Sequence, residues 1–226
     1  MIGKAQKDST WPPGKQPAHE TVYLQLREQI LFGELTPGEP VTIQGLVLAL
    51  GAGMTPVREA IRRLISEGAL RFQGNRRVSV PTLSLAELEE IDFLRKSIES
   101  QLASRAAQRI EATAIANLSK IDAALDAAIR NGDVRKYLAA NYQFHMRLYE
   151  EADAPILHGV AEGLWLRFGP SLRVVCGRFG TENLPDRHKE LLSALKLGDP
   201  DAAARAMIED VAQGTGQMSQ VLRETT

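Results

Sequence analysis

The sequence predicts a mainly α protein in two parts: a small helical module closed by a β-hairpin, then an antiparallel all-helical bundle of six or seven helices. Three observations lead there. Apolar residues recur at helical spacing through most of the chain, and the clearest strand-like alternation is Ala69-Leu-Arg-Phe-Gln-Gly-Asn-Arg-Arg-Val-Ser-Val-Pro81, broken at Gly74-Asn75. Glycine, proline and Asn-Gly punctuation cuts the helical text into segments of a few turns each. Charge is split unevenly: up to Leu83 there are ten basic and seven acidic residues, and after it seventeen and twenty-one, within a net charge of -1 over 226 residues. A basic front joined to an acidic back is expected where one half meets a polyanion.

Composition narrows the classes. No apolar run approaches the roughly 20 residues of a membrane helix, and Met1 to Thr10 is too polar for a signal sequence, so a cytoplasmic protein without membrane contact is expected. The one cysteine, Cys176, excludes an internal disulfide framework and reads as a buried or incidental thiol. The expected division is a disordered lead-in at 1–17, a first domain at 18–83 and a helical domain at 84–226.

In the first domain a loosely amphipathic helix begins near Glu20 and ends at Gly33, with Pro37-Gly38 making a turn. A second helix spans Val41 to Leu50 and stops at Gly51-Ala-Gly53. Thr55-Pro56 then reads as a cap followed by the first helical residue of a third helix. On that helix Val57, Ile61 and Leu64 share one face, and Thr55, Arg58 and Arg62 lie on the other. The hairpin follows, carrying Asn75, Arg76 and Arg77 at its tip. Such an arrangement, a winged helix-turn-helix, is the recipe for placing the third helix in a DNA major groove with the wing against a neighbouring groove or the backbone. Arg58 and Arg62 suit guanine edges or phosphates, and Thr55 and Gln44 suit phosphates. The bland alternative is a solvated, arginine-rich face on a protein-binding module.

After Leu83, Ser84-Leu-Ala-Glu87 forms a capping box, with Leu83 and Leu88 as its hydrophobic staple. Leu88, Ile91, Leu94, Ile98 and Leu102 carry the apolar stripe of the first bundle helix to about Arg109. Further helices are expected at Ile115 to Ile129, Asp133 to Ala152, from Pro155 with an interruption at Gly169-Pro170, up to Gly198, and from Asp201 with an ill-defined end near Gly214 and Gly216. Asn141 and His145 lie four apart on one helix, with His188 on the fifth bundle helix and Asp210 on the sixth; together they are a candidate divalent metal site. Arg95 is a candidate for an effector carboxylate or, equally, an ordinary partner of Glu99. Trp165, Arg167 and Arg173 are further candidates to line a cavity, while His19, in the lead-in, and His158 are treated as incidental.

Leu35-Thr-Pro-Gly38, Leu50-Gly51, Thr55-Pro-Val-Arg-Glu-Ala-Ile-Arg-Arg-Leu64 and Glu67-Gly68, in that order, resemble the winged helix-turn-helix of GntR-type bacterial regulators. Two departures stand out: Gly53 and Met54 replace a usual hydroxyl-then-arginine pair, and Arg77 replaces a usual wing glycine. Phe93-Leu-Arg-Lys-Ser-Ile-Glu99, Asn141-Tyr-Gln-Phe-His145 and Arg187-His-Lys-Glu-Leu-Leu-Ser-Ala-Leu-Lys-Leu-Gly-Asp199 are similar to the FCD ligand-binding domain of the FadR subfamily. The resemblance implies a metal held by an aspartate and three histidines beside a small carboxylate. His145 and His188 match family histidines, whereas Asn141 stands where aspartate is usual and Asp210 where the last histidine is usual. The expectation is therefore a homodimeric repressor that binds an operator in double-stranded DNA and answers to an organic acid. Its metal site, for zinc, nickel or manganese, would be weakened or shifted to a harder ion, or would hold no metal. The rival classes are a metal-dependent hydrolase built on the bundle and a DNA-binding protein whose bundle only dimerises.

Overall fold

The computed structural model describes residues 17–73, 77–179 and 187–225. The expected lead-in, apart from Pro17, and the wing-tip residues Asn75 and Arg76 lie outside them. Three helices open the chain: α1 (Ala18–Leu31), α2 (Ile43–Leu50) and α3 (Met54–Ser66). They are laced by a small antiparallel sheet of β1 (Pro40–Val41), β2 (Arg71–Gln73) and β3 (Arg77–Ser79) in the order β1-β3-β2. Val41 and Phe72 both pair with Val78, so the sheet joins the turn before α2 to the wing. The bundle consists of α4 (Leu85–Ala107), α5 (Ala112–Arg130), α6 (Val134–Glu150), α7 (Pro155–Phe179), α8 (His188–Leu197) and α9 (Pro200–Thr225). Among the described residues no helix is long and apolar enough to cross a membrane.

Several boundaries differ from expectation for identifiable reasons. His19 belongs to α1, not to a lead-in. Pro40 and Val41 are paired with β3, and Thr42 caps α2 by accepting from the Gly45 amide at 3.1 Å. Thr55 is no cap: α3 starts at Met54 with Gly53 at the cap position, and Thr55 sits inside the first turn, exposed. The capping box of α4 is present, Ser84 Oγ accepting from the Glu87 amide at 3.2 Å and Glu87 Oε2 accepting from the Ser84 amide at 2.8 Å. The buried stripe of α4 differs from the expected one, because Leu94 is exposed while Arg95 and Glu99 are buried.

The interruption expected at Gly169-Pro170 does not occur, and α7 is continuous with Pro170 inside it. Proline removes one helical donor and its ring crowds the residue before it, but Gly169 has no Cβ to be crowded. The same glycine lets α7 approach α1: a Cβ there would fall 2.8 Å from the Leu31 carbonyl oxygen. Nor do Gly214 and Gly216 end α9, which packs along α4 and buries Val211, Met218 and Val221. That burial outweighs the roughly 1 kcal/mol each glycine costs a helix interior.

The core of the first domain is Leu26 and Ile30 of α1 against Val57 and Leu64 of α3, all four with 0% exposure. Each contributes about 1.5–3 kcal/mol by burial. Arg63 ties α3 to α1 from outside, its guanidinium 3.6 Å over the Tyr23 ring and 3.0 Å from both Glu20 and Glu67 carboxylates.

Candidate functional site

Two places gather functional side chains. The first is a groove of about 960 Å³ between the start of α2, the outer face of α3 and the sheet. Gln44, Arg58, Arg62 and Arg77 line it beside Ile61 and Phe72. All four polar residues are exposed, as is Thr55. Arg58 and Arg62 have no ion pair among the described residues, whereas Arg63, one position along, is committed to Tyr23, Glu20 and Glu67. The 3.6-residue period produces this division: the position that faces α1 is paired, and the two that face away carry no ion pair among the described residues.

The second place is the middle of the bundle. His145 of α6, His188 at the first position of α8 and Asp210 of α9 each offer a ligand atom, and the three atoms lie within 4.8 Å of one another. His145 Nε2 is 3.4 Å from His188 Nε2 and 3.3 Å from Asp210 Oδ2. Donors about 2.1 Å from a tetrahedral ion stand about 3.4 Å apart, so two edges already match such a polyhedron. The outer nitrogens are fixed. Tyr149 donates its hydroxyl hydrogen to Glu99 Oε2 at 2.6 Å, so its oxygen accepts from His145 Nδ1 at 3.0 Å. Asp122 Oδ1 accepts from His188 Nδ1 at 3.3 Å, and Phe144 stacks on the His188 ring with centroids 3.9 Å apart. In neutral imidazoles this leaves both Nε2 atoms with a free lone pair, which is what a metal ligand needs. Burial pushes the His145 pKa down, toward the neutral ring, although Asp210 opposes it. At Asp210 burial acts against ionisation, but His145, His188 and the Arg187 amide overcome it and hold the carboxyl well below the usual range.

Asn141, one turn before His145, lines a cavity of about 40 Å³ with Asp210, Arg95 and Trp165, so of the expected quartet the structure clusters His145, His188 and Asp210 and places Asn141 beside Asp210. Arg95 also differs from the surface pair considered from sequence: it is fully buried, with Nε and Nη2 bonded to Glu99 at 2.6 and 3.1 Å. Glu99 takes two of the five N–H donors of Arg95, leaving one on Nη2 and two on Nη1. Its guanidinium lies 4.4 Å from the Trp165 ring. Trp165 does line this cavity, but Arg167 and Arg173 do not; they point at the first domain.

Residues 18–80 match the family of bacterial regulatory proteins named gntR, and residues 90–213 match the FCD domain, which alone spans more than half of the chain. The chain belongs to the GntR family, with an FCD domain. Its GntR relatives include the HTH-type transcriptional regulator McbR of Escherichia coli K12, 29% identical over 191 residues, which cover 83% of this chain and 86% of McbR. Another is the HTH-type transcriptional repressor RspR of the same organism, 26% identical over 215 residues, 93% of each chain. The solved structure of E. coli McbR/YncC superposes with a TM-score of 0.86 at 27% identity, covering 92% of this chain and 99% of that one. These GntR relatives are transcriptional regulators, not enzymes, and the hydrolase reading is set aside.

Set against GntR expectations, Gly53 is the cap of α3 and Met54 its exposed first residue, so the turn before α3 carries no cation. Arg77 is exposed at the wing, where it faces the groove. Sequence reasoning missed Asp122 and Tyr149, and met Glu99 only as a partner for Arg95. Their signal was present: Asp122 falls on the α5 stripe between Leu118 and Leu125, and Glu99 falls on that of α4, where a charged residue has no reason to be buried unless it serves a polar partner.

Proposed function

We propose that this regulator is a cytoplasmic homodimeric repressor that reads operator DNA with α3 and responds to a small carboxylate bound in its helical domain. The observation that carries the DNA reading is the groove in which Arg58 and Arg62, without ion pairs among the described residues, stand with Gln44 and Arg77. One α3 covers only a few base pairs, so two copies of the chain are needed to read two half-sites. Thr55, Asn75 and Arg76 complete the proposed set of DNA contacts. Titration against DNA flanking its own gene, at two salt concentrations and against excess nonspecific DNA, tests this. Salt-sensitive binding that survives the competitor supports it, and binding abolished by the competitor refutes it.

The donor set also fits a divalent ion. His145, His188 and Asp210 would hold it, with the Asn141 amide oxygen as fourth donor and Asp122 and Tyr149 fixing the imidazoles from behind. A bound ion would supply the positive charge on which an effector carboxylate rests. Two nitrogens with two oxygens, in place of three imidazoles with one carboxylate, shift preference toward harder ions such as manganese, with nickel and zinc less favoured than in the usual set. Elemental analysis of protein purified without added metal, and after loading, tests this; a protein that takes up no metal in either state refutes it.

A further inference from the structure

Among the described residues, Trp165 Nε1 is one of two buried side-chain polar atoms with no hydrogen-bond partner. Its side chain is buried, and it lines the 40 Å³ cavity together with Arg95, Asn141, Gln213 and Asp210. An indole N–H removed from water without an acceptor weakens the folded state, so a buried orphan donor beside a polar cavity marks a place for an acceptor that the chain itself does not provide. Arginine, the three amides of Asn141, Gln213 and Gln217 and the indole make the cavity rich in donors, with Asp210 as its one carboxylate. A water needs about 10–15 Å³ by this measure, so the space holds about three waters or a carboxylate with one or two carbons. A larger ligand must move a wall.

One wall is α7, which also packs against α1. Trp165, Phe168 and Leu172 face the cavity. Arg167, Gly169 and Arg173 face the first domain: Arg167 Nε donates to the Glu67 carbonyl at 3.2 Å, Gly169 lies on the Leu31 carbonyl, and a Cβ on Gly33 would fall 2.5 Å from the Arg173 Cβ. A second route leaves the same tryptophan. Its ring meets Tyr142 edge-on at 5.8 Å, Tyr142 meets Phe32 at 6.1 Å, and the Tyr142 hydroxyl accepts from Arg27 of α1 at 3.0 Å. Trp165 also sits 4.8 Å from the His145 ring.

We propose that Trp165 selects an oxygen-bearing monocarboxylate by donating from Nε1, and that α7 passes its presence to the DNA-binding domain. This rests on the regulator reading above and names the residue and the helix through which regulation runs. The cavity and the first domain touch the same helix, with Trp165, Gly169 and Arg173 spaced four residues apart along it, so a displacement of Trp165 by a ligand bears on the contacts at Leu31 and Gly33 and, through Arg167, at Glu67. A ligand changes DNA affinity through α7 only by favouring one placement of that helix over another, and the tests below read that change.

Formate, acetate and pyruvate are the probes, with binding followed by calorimetry on the full chain and DNA affinity measured with and without each acid. At least one acid binds saturably and changes DNA affinity. Trp165→Phe keeps a ring but lacks the N–H, and binds that acid about tenfold more weakly or worse, as expected for loss of a hydrogen bond to a charged group. Arg167→Ala leaves the cavity intact, binds the acid as the parent does, and loses most of the DNA response. Three results overturn the proposal: no saturable binding by any of the three acids, equal affinity in Trp165→Phe, or a full DNA response in Arg167→Ala. A parent protein that binds operator DNA but none of the acids leaves the regulator standing and removes only this inference; one that binds an acid but no DNA removes the regulator reading and, with it, the proposed transmission.

Discussion

Gly169→Ala opposes two effects of known sign. Inside a helix, alanine is favoured over glycine by about 1 kcal/mol, so helix propensity alone predicts stabilisation. The structure predicts the reverse. A Cβ at 169 would lie 2.8 Å from the Leu31 carbonyl oxygen, 3.3 Å from Leu31 Cδ2 and 3.4 Å from Leu31 Cα. The nearest of these atoms is backbone and cannot rotate away. Overpacking of this kind costs about 1–3 kcal/mol, and the new Cβ also meets the ring of Pro170. The net expectation is a loss of up to about 2 kcal/mol, or up to about 8 °C in Tm for a chain of this size. Gly163, in the same helix with nothing within 4 Å of its would-be Cβ, is the control, and Gly163→Ala is expected to gain up to about 1 kcal/mol. Urea unfolding of the parent and both variants measures the difference. A Gly169→Ala protein as stable as Gly163→Ala would refute the close seating of α7 on α1.

Three further outcomes follow from the same geometry. Arg62→Ala leaves stability within about 0.5 kcal/mol but weakens DNA binding, reducing the salt slope by about one per contact if the partner is a phosphate, or base discrimination by about 1–3 kcal/mol if it is a guanine edge. By contrast Arg63→Ala removes the Tyr23 stack and the Glu20 and Glu67 pairs, and lowers stability by about 1 kcal/mol; equal DNA losses in the two variants would contradict the division of faces. Asp122→Asn withdraws the carboxylate behind His188 and is expected to weaken manganese binding 10–100-fold in a chelator competition, with unchanged affinity refuting its orienting role. Cys176, whose thiol burial raises to about 12, should react with a thiol reagent at neutral pH only as fast as the protein opens, so rapid labelling of the native protein would contradict its placement.

The parts of this molecule that were legible in the sequence are those where function follows from local periodicity. Thr55, Arg58 and Arg62 share a face because a helix has 3.6 residues per turn, and no tertiary information was needed to see it. The bundle's punctuation was legible for the same reason, except where a glycine serves packing instead of termination. Gly169 and Gly214 both look like breaks in a one-dimensional reading. In three dimensions the first is the seat of Leu31, and the second lies opposite Phe168 at ordinary contact distance. For Arg95 the sequence left an effector carboxylate and an ordinary pair with Glu99 equally open, because the i,i+4 spacing is the same at a surface or in a core; burial depends on α7 and α9, far along the chain.

The candidate metal site shows where such reading stops. From sequence the quartet counts as half altered, since Asn141 and Asp210 both depart from the family pattern. In the structure the two departures offset one another: a carboxylate absent from α6 is present on α9, near both histidines, so the charge offered to an ion is kept while one imidazole is lost. Asp210 Oδ1 also accepts from the Arg187 amide at 3.2 Å, immediately before the helix that begins at His188. A histidine at 210 has no second oxygen with which to hold that amide while its first donor atom faces His145. The exchange therefore ties the start of α8 to α9 through the same side chain that faces the two imidazoles, and His188 is held by Asp122 from behind and by Asp210 through its own backbone neighbour. On this argument Asp210→His would restore the usual third imidazole yet loosen the start of α8. The expected result is a greater preference for zinc over manganese together with a lower melting temperature, and a variant that gains zinc preference with no loss of stability would show that the Arg187 contact contributes nothing.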